Sequence, residues 1–157
     1  MTGRPLKSKV FSFKEQLEVG TRGEELFIEH YPKKLVVYPE RDGDFLEVYS
    51  GKKIELKTDT YNINKSENFF FERYSNVEKE TPGSVWQALG HGCDIFCYMF
   101  VRHNIWYQFN DLPALAKRLD EEYGKKGLIW IKNKGYVSGG WKVNRESLSD
   151  LYTIWEF

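Results

Sequence analysis

Asp44-Phe45-Leu46-Glu47-Val48-Tyr49-Ser50-Gly51-Lys52-Lys53-Ile54-Glu55-Leu56-Lys57 is the stretch that decides the fold. Two runs of strand composition, Phe45 to Tyr49 and Ile54 to Lys57, flank the turn residues Ser50-Gly51-Lys52-Lys53, which is the pattern of a β-hairpin. Side chains alternate faces along a strand. Ile54 and Leu56 therefore point to the core, and Glu55 and Lys57 share the opposite face. The hairpin also sets Asp44, at the mouth of its first strand, beside that pair. Two carboxylates and one ammonium then converge at one end of a sheet, with Asp59 extending the polar face.

Upstream of the hairpin, Ser12 and Glu15 fit a capping box for a first helix, which is re-initiated near Thr21 and runs to about His30. Leu35-Val36-Val37-Tyr38 reads as a short strand stopped by Pro39. Downstream, Asn68 to Arg73 is an aromatic strand, and Pro82-Gly83 opens a short helix over Ser84 to Leu89. Asp94 to Val101 and Ile105 to Phe109 form two strands joined at His103-Asn104. Asp111 starts a helix that ends at Gly124, with Leu112, Leu115, Ala116 and Leu119 at helical spacing. Leu128 to Ile131 and Tyr136 to Val143 read as edge strands. The order is that of a mixed α/β protein.

The 157 residues make one domain, with a basic arm over 1–11 and a core over about 12–132. Hydrophobic residues are 41% of the chain and charged residues 29%, a globular balance, and the 17% aromatic content favours strands. The first residues carry charge without an apolar run, and no stretch approaches the ~18 apolar residues of a membrane helix, so a soluble cytoplasmic protein is expected. Cys93 and Cys97 are the only cysteines; in an extended strand they share one face, and they read as buried free thiols. With three His and no Cys-x-x-Cys, a structural zinc site is not expected. The formal net charge is zero, so affinity for nucleic acid would have to come from local patches. Lys7, Lys9 and Lys14 form one such patch, and Lys132, Lys134, Lys142 and Arg145 another. Solvated surface is the simpler reading of both.

The hairpin residues suit phosphodiester hydrolysis. Carboxylates hold Mg²⁺, which takes its remaining ligands from water and substrate phosphate, and a neighbouring lysine orients the attacking water or steadies transition-state charge. Asp44, a ten-residue gap and Glu55-Leu56-Lys57 resemble the PD-(D/E)xK nuclease superfamily, whose restriction-endonuclease-like fold is a mixed β-sheet core flanked by helices. That family places its Asp and Glu-x-Lys on adjacent strands of one hairpin. Many members add a helical Glu in a Gly-x-x-(Ala/Gly)-Glu phrase, which Gly20-Thr21-Arg22-Gly23-Glu24 matches, with Phe27 as an apolar anchor. Asn68-Phe69-Phe70-Phe71-Glu72, then Pro82-Gly83 and a strand near Asp94, resemble a phage-type branch. The likeness covers roughly residues 15 to 110. No Pro precedes Asp44, and Asp42 competes with it as the first ligand.

The resemblance implies a Mg²⁺-dependent deoxyribonuclease in which Mn²⁺ can substitute, acting on DNA, with RNA left open, as a phage-type replication, recombination or host-DNA-degrading endonuclease. Dimers are common among such enzymes, and a phage protein would work in the cytoplasm of its bacterial host. Asp44, Glu55 and Glu24 are the implied metal ligands, with Lys57 and Gln87 completing the catalytic set. Simpler readings stand beside these. Glu55 and Lys57 could face solvent on an edge strand. Glu24 closes a capping box with Thr21, and Glu25 faces solvent. Gln87 could be an ordinary helical surface residue, and Glu72 a buried ion-pair partner. His30, His91 and His103 read as helix-end and turn residues. Trp141, Tyr152, Trp155 and Phe157 could stack bases, but packing of a carboxy-terminal strand accounts for them better. The alternative function is a non-catalytic nucleic-acid-binding or interaction module that retains the nuclease fold. Trp86, Trp106 and Trp130 fall on separate elements, which argues against a flat carbohydrate-binding face.

Overall fold

A computed structural model of the protein describes residues 13–37 and 44–157, with side chains from Gly20 onward. The proposed Ser12 cap, the 1–11 arm with Lys7 and Lys9, the Lys14 side chain, Tyr38, Pro39 and Asp42 lie outside the described residues.

Helix α1 (Phe13–His30) leads into β1 (Leu35–Val37), β2 (Phe45–Glu47) and β3 (Lys53–Asp59), successive antiparallel neighbours. Then come β4 (Asn68–Asn76), β5 (Thr81–Pro82), α2 (Ser84–Gly90), β6 (Ile95–Phe100), β7 (Ile105–Phe109), α3 (Leu112–Tyr123), β8 (Ile129–Asn133), β9 (Tyr136–Asn144) and β10 (Tyr152–Glu156). The mixed α/β class is as expected. The strands form two sheets: one ordered β1-β2-β3-β6-β7-β10, in which β3 and β6 are parallel, and one ordered β5-β4-β9-β8.

The larger sheet is covered on both faces. On one, Ile54, Ile95, Cys97, Met99 and Trp106 pack with Phe27 and Tyr31 of α1. On the other, Phe96, Tyr98, Phe100, Tyr107 and Phe109 meet Phe69 and Phe71 of β4 and the buried stripe of α3. That stripe is Leu112, Leu115, Ala116 and Leu119, and Asp111 caps the helix by accepting from the Ala114 N–H.

Several expectations need correction. Helix α1 runs unbroken through Thr21, so Thr21 is not an N-cap and the capping role for Glu24 falls away. Gly23 is there for contact: a Cβ on it would meet Thr58 Cγ2 at 2.2 Å, and its absence lets α1 lie against β3. Strand β9 is an interior strand of its sheet, not an edge. The core does not stop near residue 132, since Val143 and Leu148 are fully buried and β10 closes one side of the larger sheet. Cys93 precedes β6 and packs in a different cluster from Cys97, so the two thiols do not share a face. Arg145 belongs to no surface patch. It is partly buried, donates to the carbonyls of Ser66, Asn68 and Ile63, and stacks on Phe100 and Tyr107. The carboxy-terminal aromatics pack: Trp155 stacks on Trp106, Phe157 on His30, and Trp141 against Trp86. Among the described residues no helix is long and apolar enough to cross a membrane.

Candidate active site

The hairpin register sets the site. Phe45 pairs with Ile54, and both are buried beneath α1. Asp44 and Glu55, one step away on each strand, therefore turn to the other face. The Leu56 N–H donates to Asp44 Oδ2 at 2.7 Å, and the Asp44 N–H donates to the Ile54 carbonyl at 3.0 Å, so the carboxylate is held across the strand pair. Asp94, just ahead of β6, performs the same service at the start of β3: its Oδ2 accepts from the Lys53 N–H at 3.0 Å.

The electrostatics of this corner run against its charge. Burial, and then the neighbouring Asp44 charge, push the Glu55 carboxyl up to about 8. Burial raises Asp44 as well, against the pull of the Leu56 N–H. Glu24 is raised by burial and by Asp44. Asp44 thus couples to Glu55 from the hairpin and to Glu24 from α1, and none of the three shifts has a cation among its causes. Cys93 adjoins the same corner, its thiol pushed up to about 12 by burial and then by Glu55.

Lys57 is turned elsewhere. It shares a face with Glu55, as alternation requires. Its Nζ donates to the Phe70 carbonyl of β4 at 2.7 Å and lies 5.0 Å from the Tyr98 ring centre and 5.6 Å from that of Phe70. Burial pulls its pKa down, and Asp59 and Glu72 oppose that. Glu72 is raised by burial, with Lys57 and the Ser138 hydroxyl favouring its charge. Neither Glu55 nor Lys57 lies on a sheet edge, since β2 and β6 flank β3.

Gln87 sits on the exposed side of α2, opposite buried Val85 and Ala88, and takes no part in the interactions that join Asp44, Glu55 and Glu24. Glu25 is exposed. His91 caps α2, and His103 Nε2 accepts from the Ile63 N–H. Sequence reasoning missed Tyr98, whose hydroxyl donates to Asp59 and accepts from the Phe70 N–H at 3.1 Å. The one available signal was its place in an apolar run directly opposite Lys57 in the β3–β6 pair.

Among the described residues, no group of three or more His, Cys, Asp or Glu stands close enough together to enclose a metal ion. The donor set nevertheless suits one class of ion. Hard carboxylate oxygens fit Mg²⁺, which is held by one or two carboxylates and completed by water and substrate phosphate rather than by an all-protein cage. Asp44 and Glu55 would be such a pair. No protein-family model matches the chain, and no curated protein matches it.

Proposed function

We propose that the chain is a Mg²⁺-dependent endonuclease of the PD-(D/E)xK type, hydrolysing DNA phosphodiester bonds on a restriction-endonuclease-like scaffold. The observation that carries this reading is the convergence of Asp44 and Glu55, with Glu24 within their electrostatic reach, in a partly buried corner where no described cation is among the causes of their raised pKa values. Two partly buried carboxylates of raised pKa, the Asp44 charge adding to the shift of Glu55, work against the fold when both are ionised, and a ligand cation would offset that. The arrangement also agrees with the resemblance noted above: Asp and Glu-x-Lys on paired strands, and a Glu on the preceding helix.

In this reading Asp44 and Glu55 hold Mg²⁺, and Glu24 holds a second ion or its water. When bound, the ion lowers the pKa of a coordinated water and neutralises charge on the phosphate oxygens. Lys57 gives one N–H to the Phe70 carbonyl. Its two remaining donors orient the attacking water or meet charge developing on the phosphate. The Leu56 N–H fixes which Asp44 oxygen faces the strand and leaves the other to the ion.

One observation favours the second reading, a non-catalytic nucleic-acid-binding module. Lys57 is engaged by Phe70, Asp59 and Glu72 rather than by Glu55. Incubation with plasmid and branched DNA in Mg²⁺, in Mn²⁺ and in EDTA separates the two. The nuclease reading expects cutting with either metal and none in EDTA. DNA binding without cutting in any arm would establish the module instead.

A further inference from the structure

β5 reaches β4 only at Tyr74 and Asn76, so among the described residues the edge of β4 at Phe70 has no strand beside it. Buried backbone groups need partners. Here they come from the other sheet: the Phe70 N–H donates to the Tyr98 hydroxyl at 3.1 Å, and the Phe70 carbonyl accepts from Lys57 Nζ at 2.7 Å. Lys57 and Tyr98 are themselves register partners on β3 and β6. The Tyr98 hydroxyl has one proton, and Asp59 takes it, which leaves the hydroxyl lone pairs facing the Phe70 N–H. The Tyr98 ring is fully buried, and the Lys57 ammonium lies 5.0 Å from its centre. One residue thus contacts the amine through its face and holds, through its hydroxyl, the peptide that anchors that amine.

We propose that Tyr98 is the positioning residue for the Lys57 ammonium, locking Phe70 of β4 over β3 so that Lys57 keeps one orientation toward the reacting phosphate. This rests on the nuclease reading for its consequence and on the hydrogen bonds alone for its geometry. Without the hydroxyl, the Phe70 N–H loses its partner, Asp59 loses a donor, and β4 is free to shift against β3. A misplacement of this size lowers a reaction rate by powers of ten while changing affinity little, because the group acts in the transition state. A role confined to stability would behave differently, affecting Lys57-containing and Lys57-lacking proteins alike.

The test uses Tyr98→Phe in the full chain, alone and combined with Lys57→Ala. Single-turnover cleavage in Mg²⁺ should fall about tenfold or more in Tyr98→Phe, with DNA affinity in Ca²⁺ within about twofold of wild type. In the Lys57→Ala background the same change should cost less than about twofold, since the two residues act as one unit. Full activity in Tyr98→Phe, or an equal loss with and without Lys57, overturns the proposal. Hydrogen exchange at the Phe70 amide and the NMR signal of the Lys57 ammonium supply a readout that needs no catalysis. Exchange should accelerate and the ammonium signal should shift or broaden, whereas wild-type behaviour in both overturns the proposal. If the wild-type chain cuts no DNA, the nuclease reading fails while these two signals still decide the geometry. If Tyr98→Phe does not fold, Asp59→Ala, which removes the acceptor of the hydroxyl proton, decides by the same measurements.

Discussion

Glu47 and Glu55 sit on the two strands of one hairpin, the first buried and the second partly so, and their surroundings treat them in opposite ways. Burial works against the Glu47 charge, but the Ser50 and Tyr31 hydroxyls donate to it and Lys33 and Lys52 lie near, so its pKa ends below the ordinary carboxylate value. Glu55 meets burial and then a second carboxylate, and is pushed up to about 8. Glu47 faces α1, where the chain itself completes the site. Glu55 faces the side where its described electrostatic neighbour is a second carboxylate, Asp44. A satisfied buried carboxylate is explained by the fold it stabilises. One whose pKa is raised by burial and by a second carboxylate marks a candidate functional site, and that contrast is the strongest physical argument for a cation at Asp44 and Glu55.

The contrast breaks most visibly in rate. Asp44→Asn and Glu55→Gln should each lower single-turnover cleavage by about a thousandfold or more. The same changes should leave the metal-free protein at pH 8 as stable as wild type or more so, because each removes an uncompensated charge. Glu47→Gln should do the reverse. Cleavage should stay within about twofold, while denaturant titration shows a loss of about 2 kcal/mol from breaking charge-assisted hydrogen bonds. Equal rate losses at Glu47 and Glu55 would remove the distinction.

Lys57 comes next in size. Lys57→Ala should lower single-turnover cleavage about a hundredfold, while DNA affinity in Ca²⁺ falls much less, since one phosphate contact among several carries a small share of binding. Lys57→Arg should not restore the rate, because a planar guanidinium does not fit where a compact ammonium donates to the Phe70 carbonyl. Binding lost in proportion to cleavage would make Lys57 a docking residue. Below that lies Glu24. With the capping role gone, Glu24→Gln should cost about tenfold in cleavage and hardly move the melting temperature. A clear stability loss with intact cleavage would return Glu24 to the helix.

How far the sequence was legible follows from the range of each signal. Period-two alternation placed Asp44 and Glu55 on one face, because Phe45 and Ile54 are adjacent in the chain to the residues they orient. The α3 helix was equally plain from the Asp111 cap and the leucine spacing. Alternation says which face a residue takes, but not what packs over that face. The Phe70 carbonyl that engages Lys57 belongs to another sheet, and no local pattern announces it. Strand β9 was misread as an edge for a related reason. Gly139 and Gly140 break its apolar alternation, yet at Gly140 even a Cβ would meet the Phe71 carbonyl at 2.3 Å, so the missing side chain marks close strand packing. Thr21, read as a helix restart, lies inside the unbroken α1, and Gly23 two residues on is where α1 touches β3.

The smallest effect, and the most direct test of the comparison, is the pH dependence of the metal-free protein. A carboxyl whose folded pKa is raised contributes stability that is full below its unfolded value and is lost as pH rises through its folded value. For Glu55 that window runs from the ordinary carboxylate value of 4.5 to about 8, and Asp44 and Glu24 add losses of the same sign. Glu47, lowered, contributes stability that is full above 4.5 and is lost only as pH falls through its folded value. Between pH 5 and 8, then, the Glu47 contribution is constant while the Asp44–Glu55 corner weakens the fold, by on the order of a few kcal/mol. Denaturant titrations in EDTA should show stability declining across that interval, and the decline should flatten in Glu55→Gln but persist in Glu47→Gln. Mg²⁺ should restore stability at pH 8, where the carboxylates are ionised and able to bind it, and have little effect at pH 5, where protons compete. Stability that stays level across the interval in EDTA, or a Mg²⁺ effect independent of pH, would mean that the corner is compensated after all.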